Sequence, residues 1–130
     1  MHSLGGILTL VESPSELEKE LKKLAVQIHL KHYGKGPEEV WVKVHRNIVT
    51  FYCSKIITPL EDTLLRISGG REEVLRIREK IYAHIKPHLF LEVEKVSGCK
   101  VLSLAADICL ETKSLHGSIL FLQNIEKELS

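Results

Sequence analysis

The sequence predicts a two-layer α+β fold, in which helices cover one face of a single antiparallel or mixed sheet built from two β-hairpins. Three observations predict it. Segments with strand periodicity occur in two closely spaced pairs, the segments before and between the pairs carry helical periodicity, and capping residues mark where helices begin. The expected element order is α-β-β-α-α-β-β, and hairpins separated by helices favour one sheet with the helices on one side.

The first helix begins at a capping sequence, in which Ser13 is the N-cap, Pro14 takes the first helical position and Glu16 the third. Apolar residues then recur every three or four positions and form one helical face: Leu17, Leu21, Leu24 and Ile28. Gly34 is expected to end the helix, because glycine readily takes the left-handed conformation of a C-cap.

A hairpin follows the first helix. Valines alternate with other residues over positions 40–44, and positions 48–53 are rich in β-branched and aromatic residues. Residues 45–47 lie between these segments and predict a tight turn.

Two helices are expected next. Thr58, Pro59 and Glu61 repeat the capping pattern and predict a short helix that reaches residue 65. Gly69-Gly70 interrupts it, and a long helix is expected over residues 71–97. Pro87 lies inside this long helix, where it removes a hydrogen bond and is expected to kink or split the helix near residues 83–86.

The final hairpin is predicted from two further strands. Over residues 100–110, one face is expected to carry Leu102, Leu104, Ala106 and Ile108. Residues 118–123 are apolar on both faces, and the residues from 111 to 117 between the strands predict a turn. The last residues are polar and are expected to fray.

Composition and charge are those of an ordinary globular domain. The chain has 130 residues, of which 44% are hydrophobic and 27% charged, and its net charge is +1. This length fits one domain, so we expect residues 1–12 to form an N-terminal extension and residues 13–130 a single α+β domain. A nearly neutral chain has no overall field that would attract nucleic acid or anionic lipid, and we expect no nucleic-acid partner.

The apolar runs and the cysteines predict a cytoplasmic protein. The N-terminal apolar run, residues 4–11, is shorter than the ~20 residues of a membrane helix, and no basic region precedes it as in a signal peptide. Cys53, Cys99 and Cys109 are far apart and odd in number, which argues against a disulfide framework. We therefore expect reduced thiols and no direct membrane insertion.

No group of residues points to catalysis or to a metal. His29 and His32 share a helical face, as do His84 and His88, but neither pair belongs to an H-E-x-x-H motif. Pro87 also disturbs the helix between the second pair. We therefore expect no catalytic residue, no metal site and no cofactor, and we predict that the chain is not an enzyme.

Five residues are candidates for binding a ligand: Lys35, Glu61, Arg71, Arg78 and Asp107. Lys35 and Arg71 lie in glycine-rich turns, which suit either an anion or ordinary chain reversal. Glu61 suits a helix start and Arg78 a solvated helix face, so both also have structural interpretations. Asp107 interrupts an apolar strand and, if buried, needs a partner that is either structural or functional.

The order and spacing of many turn, cap and charged positions after residue 12 resembles the MpsC-like family. The matching positions are Gly34-Lys35-Gly36-Pro37, Val40, Val42, Thr58-Pro59-Leu60-Glu61, Leu64, Gly70-Arg71, Arg78, Pro87, Glu94, Gly98-Cys99-Lys100-Val101, Asp107 and Ile119-Leu120-Phe121. These are small bacterial domains named after a component of a sodium-translocating, membrane-potential-generating system. The resemblance implies no catalytic residues.

The resemblance implies a soluble accessory or assembly protein of a membrane-associated system that translocates sodium or bicarbonate ions. It implies a membrane transporter subunit as a partner and a cytoplasmic location at the periphery of the membrane. The alternative is a small-molecule or anion-binding sensor, or an enzyme of unknown reaction, that uses Asp107 and the Arg71/Arg78 region. Because residues 118–123 are apolar on both faces, we also expect a homodimer.

Overall fold

A computed structural model describes residues 11–129 of the chain. Of the predicted N-terminal extension, residues 1–10 lie outside the described residues. Eight elements follow: α1 (Pro14–Tyr33), β1 (Val40–His45), β2 (Ile48–Cys53), α2 (Pro59–Leu65), α3 (Gly70–Ser97), β3 (Val101–Cys109), β4 (Ser114–Phe121) and α4 (Ile125–Glu128). The predicted α+β class and the order α-β-β-α-α-β-β are confirmed, with one short helix added at the end.

The four strands form one antiparallel sheet in the order β1-β2-β4-β3. Each hairpin contributes two neighbours, and β2 pairs with β4 to join the two hairpins. The inner face of the sheet packs on α1, α3 and α4 through one core of buried side chains. This core includes Leu17, Leu21, Val42, Val44, Val49, Val93, Val101, Leu104, Ile119, Phe121 and Ile125.

The helix ends are those that the capping residues predict. The Ser13 hydroxyl accepts a hydrogen bond from the Glu16 amide, and Thr58 and Glu61 form a reciprocal capping box. Gly34 and Gly98 end α1 and α3 with φ values of 73° and 70°. These are left-handed conformations, which other residues adopt at a cost.

The long helix continues through its proline. α3 runs without interruption from Gly70 to Ser97 with Pro87 inside it. Of the two effects expected of Pro87, the split is therefore wrong, and the kink stays a prediction. Pro87 and Ala83, the residue whose carbonyl loses its amide partner, are both exposed. Water can satisfy that carbonyl, and the packing of α3 on the sheet holds the helix together on either side.

Strand β4 is longer than predicted. It begins at Ser114, so that Ser114, His116 and Gly117, which the sequence placed in the turn, are paired strand residues. Gly117 is needed there, because a Cβ at this position would lie 2.1 Å from the Ala105 carbonyl oxygen and 2.7 Å from Cζ of Phe51.

A β-bulge in β3 changes which residues face the core. Val101 pairs with Phe121 and Ser103 with Leu120, so Leu102 is the extra residue. The bulge turns Val101 inward, where it is 3% exposed, and leaves Leu102 at 49% exposure. The expectation that Leu102 shares a face with Leu104 is therefore wrong.

The chain end is ordered into a helix. Asn124 caps α4 by accepting a hydrogen bond from the Lys127 amide, and Ile125 is completely buried in the core. The expectation of fraying is wrong within the described residues, because Ile125 supplies an apolar anchor in an otherwise polar segment. None of the helices between residues 11 and 129 combines the length and apolar composition needed to cross a bilayer.

Candidate functional site

A cavity of about 480 Å³ lies between α1, α3 and the inner face of the sheet. α1 and α3 run in opposite directions, since the Val11 amide bonds the Val96 carbonyl near one end and Tyr33 meets Arg78 at the other. Most of the lining is apolar: Leu21, Leu24, Ala25, Ile28, Val42, Val49, Phe51, Leu75, Ile85, Leu89, Val93, Leu104, Ala106, Ile108, Leu115 and Ile119. The volume and the lining are typical of a small-molecule site.

Polar side chains line one end of this cavity. Arg78 of α3 is 6% exposed, and its guanidinium carbon lies 3.8 Å from the centroid of the Tyr33 ring. This distance is that of a cation–π contact. His29 lies one helical turn before Tyr33, with its ring centroid 5.7 Å from that of Tyr33. The end of α1 therefore places the Tyr33 ring against a buried cation of α3, with the His29 ring beside Tyr33.

Glu61 balances the charge of Arg78. Nε and Nη2 of Arg78 donate to the two carboxylate oxygens of Glu61 over 2.5 and 2.6 Å, and Nη2 also donates to the Ile56 carbonyl. Burial opposes ionisation of Glu61, but the hydrogen bonds from Arg78 and Thr58 outweigh it and lower its pKa. The pair is therefore ionised and has no net charge.

His29 is neutral and keeps a free acceptor. Its Nδ1 lies 2.8 Å from the Ala25 carbonyl, and because a carbonyl oxygen only accepts, Nδ1 carries the proton. Burial lowers the pKa of His29, and the positive charges of Arg78 and Lys35 act in the same direction. Nε2 therefore presents a lone pair, while the residue is 5% exposed and lines the cavity.

Edge strand β3 borders another part of the cavity. The Tyr82 hydroxyl donates to the Leu104 carbonyl over 3.0 Å and ties α3 to β3. Asp107 also borders the cavity, but it is an exposed residue on the edge strand, directly opposite His116 of β4. Asp107 therefore lies beside the cavity but is not buried, so it does not need the partner that a buried carboxylate would require.

The two remaining candidates lie apart from this cavity. Arg71 forms an exposed ion pair with Glu111 over 3.2 Å. Lys35 donates to the carbonyl of Lys55 and so holds the loop after β2 against the end of α1. Of the five candidate residues, the structure brings Glu61 and Arg78 into contact. A role for Lys35, Arg71 or Asp107 in binding stays a prediction.

The sequence did not single out the cavity-lining role of His29 or Tyr33. The signal was present, because Leu21, Ala25, Ile28 and His29 fall on neighbouring positions of the same helical face. The periodicity of that face predicts core packing, and the spacing of His29 from His32 presents it as one of a histidine pair. Within residues 11–129, no three His, Cys, Asp or Glu side chains converge on a possible metal position.

The outer face of the sheet carries a second feature. The registers align Trp41, Tyr52, His116 and Asp107 in one row across β1, β2, β4 and β3. Trp41 is 53% exposed and Tyr52 37% exposed. We call this surface the outer row. Adjacent exposed aromatic side chains on a sheet are typical of a contact surface.

Comparison with known protein families gives a match over most of the chain. A family described as "Na+-translocating membrane potential-generating system (MpsC)" matches residues 13–123, which is most of the chain. No curated protein and no solved structure matches this chain.

Proposed function

Because the chain belongs to the MpsC family, we propose that it is an accessory or assembly component of a membrane system that translocates sodium ions and generates a membrane potential. The observation that carries the proposal is the extent of the family match, from residue 13 to residue 123. This range contains the capping box, the Glu61–Arg78 pair, the cavity and the outer row. The features described above are therefore features of a domain of this family.

The proposed role is binding rather than catalysis. Side-chain nitrogens and oxygens that are completely inaccessible to solvent in the described residues all have hydrogen-bond partners. Glu61 and Arg78 hydrogen-bond each other, and Arg78 also donates to the Ile56 carbonyl. Such a set of hydrogen bonds is typical of a structural ion pair. We propose that the domain works at the cytoplasmic periphery of the membrane, and its three free cysteines support a reducing compartment.

We place self-association on the outer row. The outer face is polarised, with Lys43 and His45 on edge strand β1 and Asp107 on edge strand β3. A two-fold axis that lies between the two faces and runs parallel to the strands would lay β1 of one copy, with Lys43, over β3 of the other, with Asp107, so the face is complementary to itself. Four strands at roughly 4.8 Å spacing and roughly 24 Å length bury about 900 Å² over two copies, the size of a weak interface.

A second candidate function is favoured by a specific observation. The cavity with Arg78 and His29 at one end suits a small-molecule sensor better than an anion sensor, because Glu61 already neutralises Arg78. An accessory domain that also senses a ligand would combine both candidates.

The test uses a strain of the source organism that lacks this chain. Membrane potential is measured with a potential-sensitive dye, and ²²Na⁺ movement is measured in membrane vesicles from the same cells. We expect both to fall in the deletion strain and to recover when the chain is restored. Unchanged potential and unchanged sodium movement in the deletion strain would contradict the proposal.

A second measurement tests the peripheral location. Membranes that carry the chain are washed with high salt and, separately, with detergent. We expect salt alone to release the protein, because salt screens the polar contacts with a partner protein that would hold a peripheral domain at the membrane. Release by detergent alone would exclude a peripheral role.

A further inference from the structure

The cavity between α1 and α3 combines an apolar body with one hydrogen-bonding end. It follows the two antiparallel helices, and the stretch of α1 from Leu21 to Tyr33 alone spans about 18 Å at 1.5 Å per residue. Several side chains along it, including Leu24, Phe51 and Leu89, are packed against the core but stay half-buried. An apolar ligand would bury this surface, which is the main source of affinity in such sites.

At the hydrogen-bonding end of the cavity, His29 offers a hydrogen-bond acceptor and not a donor. Nδ1 of His29 is used by the Ala25 carbonyl, so the ring offers Nε2 as an acceptor. The lowered pKa of His29 keeps that nitrogen unprotonated at neutral pH. A ligand group that carries a hydrogen, such as a hydroxyl, would satisfy this acceptor.

The charge at this end disfavours an ionic ligand. Arg78 is held by both oxygens of Glu61, and the pair is about 90% or more buried at both side chains. A ligand carboxylate or phosphate would therefore lose its hydration in an apolar cavity with no uncompensated cation to balance it, which weakens its binding. A ligand cation would be repelled by Arg78, and the two carboxylates that also line the cavity, Glu79 and Asp107, belong to exposed residues where water weakens their attraction.

We propose that this cavity binds an uncharged amphipathic molecule, with its apolar chain along α1 and α3 and a hydroxyl group donating to Nε2 of His29. The inference goes beyond the accessory function and stands independently of it, since it rests on the cavity and His29 alone. It assigns the ligand to the class of apolar alcohols.

The test compares three probes of equal chain length on the full chain at pH 7.5. 1-Decanol has the hydroxyl hydrogen, its isomer methyl nonyl ether lacks it, and decanoate carries a charge. Binding is measured by isothermal titration calorimetry, and amide shifts in ¹H–¹⁵N NMR spectra locate the site. We expect decanol to bind at α1 and α3, and the ether to bind roughly three- to tenfold more weakly, the value of one hydrogen bond. Decanoate is expected to bind at least about tenfold more weakly.

Two variants connect binding to the cavity. His29→Phe keeps a ring and removes the acceptor, so decanol should bind it no better than the ether. Ala25→Leu places extra side-chain volume in the cavity and should abolish binding, whereas Ala83→Leu, on the exposed side of α3, should leave it unchanged.

Results that would overturn the inference do not depend on any variant. They are no decanol binding to the wild-type chain, equal affinity for decanol and its ether, tighter binding of decanoate, or amide shifts confined to the outer face of the sheet. Loss of sodium movement in the deletion strain with no decanol binding would leave the accessory function standing and refute this one.

Discussion

Glu61 at the start of α2 and Arg78 in the first half of α3 are joined by two hydrogen bonds of 2.5 and 2.6 Å. The same carboxylate accepts from the Thr58 amide in the capping box. One side chain therefore fixes the start of α2 and attaches α2 to α3. Through the contact of Arg78 with Tyr33, it also reaches the end of α1.

The first prediction concerns this pair. Glu61→Gln should destabilise the protein by about 3–5 kcal/mol, because it leaves the buried Arg78 charge without a counter-ion. Glu73→Gln is the matched control, since it breaks an exposed pair with Arg76 and should leave the urea midpoint nearly unchanged. Urea denaturation measures both. Similar midpoints for the two variants would mean that the Glu61–Arg78 pair does not hold α2 and α3 together.

The second prediction concerns the cap of α2. Thr58→Ala should cost about 1 kcal/mol of unfolding free energy, since the Thr58 hydroxyl accepts from the Glu61 amide. Ligand binding should not change. Thr63→Ala, on the exposed side of the same helix, is the control and should have a smaller effect. A loss under ~0.3 kcal/mol for Thr58→Ala would show that the cap contributes little.

The third prediction concerns close packing in β4. Gly117→Ala should destabilise the protein by about 1–3 kcal/mol or more, because the new Cβ would meet the Ala105 carbonyl oxygen at 2.1 Å. Gly36→Ala is the control. Its Cβ would have no atom nearer than 3.6 Å, so it should be neutral or slightly stabilising. Thermal denaturation of the two variants decides, and equal melting temperatures would refute the packing argument.

The fourth prediction concerns pH. The folded-state pKa of His29 lies below its usual 6.5, so the unfolded chain binds more protons just below that pH. Stability should therefore be fully present above 6.5 and fall as the pH drops below it. Glu61, with its pKa lowered from 4.5, adds a further loss as the pH falls through its folded-state pKa. The groups that act on His29 are Arg78, Lys35 and Glu61.

Urea midpoints measured between pH 7.5 and 5 test this dependence. His29→Phe should flatten the curve below pH 6.5, while His84→Gln, at an exposed position on α3, should not. If wild type and His29→Phe lose stability in parallel over this range, then His29 is not the group responsible.

The fifth prediction concerns self-association. Sedimentation of the wild-type chain should show a concentration-dependent mass that approaches twice 14.8 kDa. Trp41→Ser should shift it toward the monomer, because Trp41 belongs to the outer row. Leu60→Ser, at a 73% exposed position on α2, should leave it unchanged. A monomer of 14.8 kDa at every concentration would exclude the dimer.

Local signals in the sequence were sufficient to predict most elements. Ser13, Thr58, Gly34 and Gly98 act within a few residues of their own position, so the boundaries that they set could be predicted without the tertiary structure. Alternation in β1 and the β-branched and aromatic residues of β2 likewise predicted the first hairpin. Predictions failed where a distant contact decided the outcome. Helix α4 forms because Ile125 packs in the core. Leu102 leaves the core face because of a bulge against β4.

The sequence by itself determined the α+β class, the order of the main elements and the MpsC family, because capping residues, hydrophobic periodicity and residue spacing depend only on the order of the residues. Tertiary structure alone decided the site. Glu61 and Arg78 were both candidates, but their pairing depends on the turn at Gly69 and Gly70 that folds α2 back on α3. The cavity exists because α1 and α3 stand apart over the sheet, with His29 at one end. Such a space is defined by the distance between elements, and no local pattern encodes that distance.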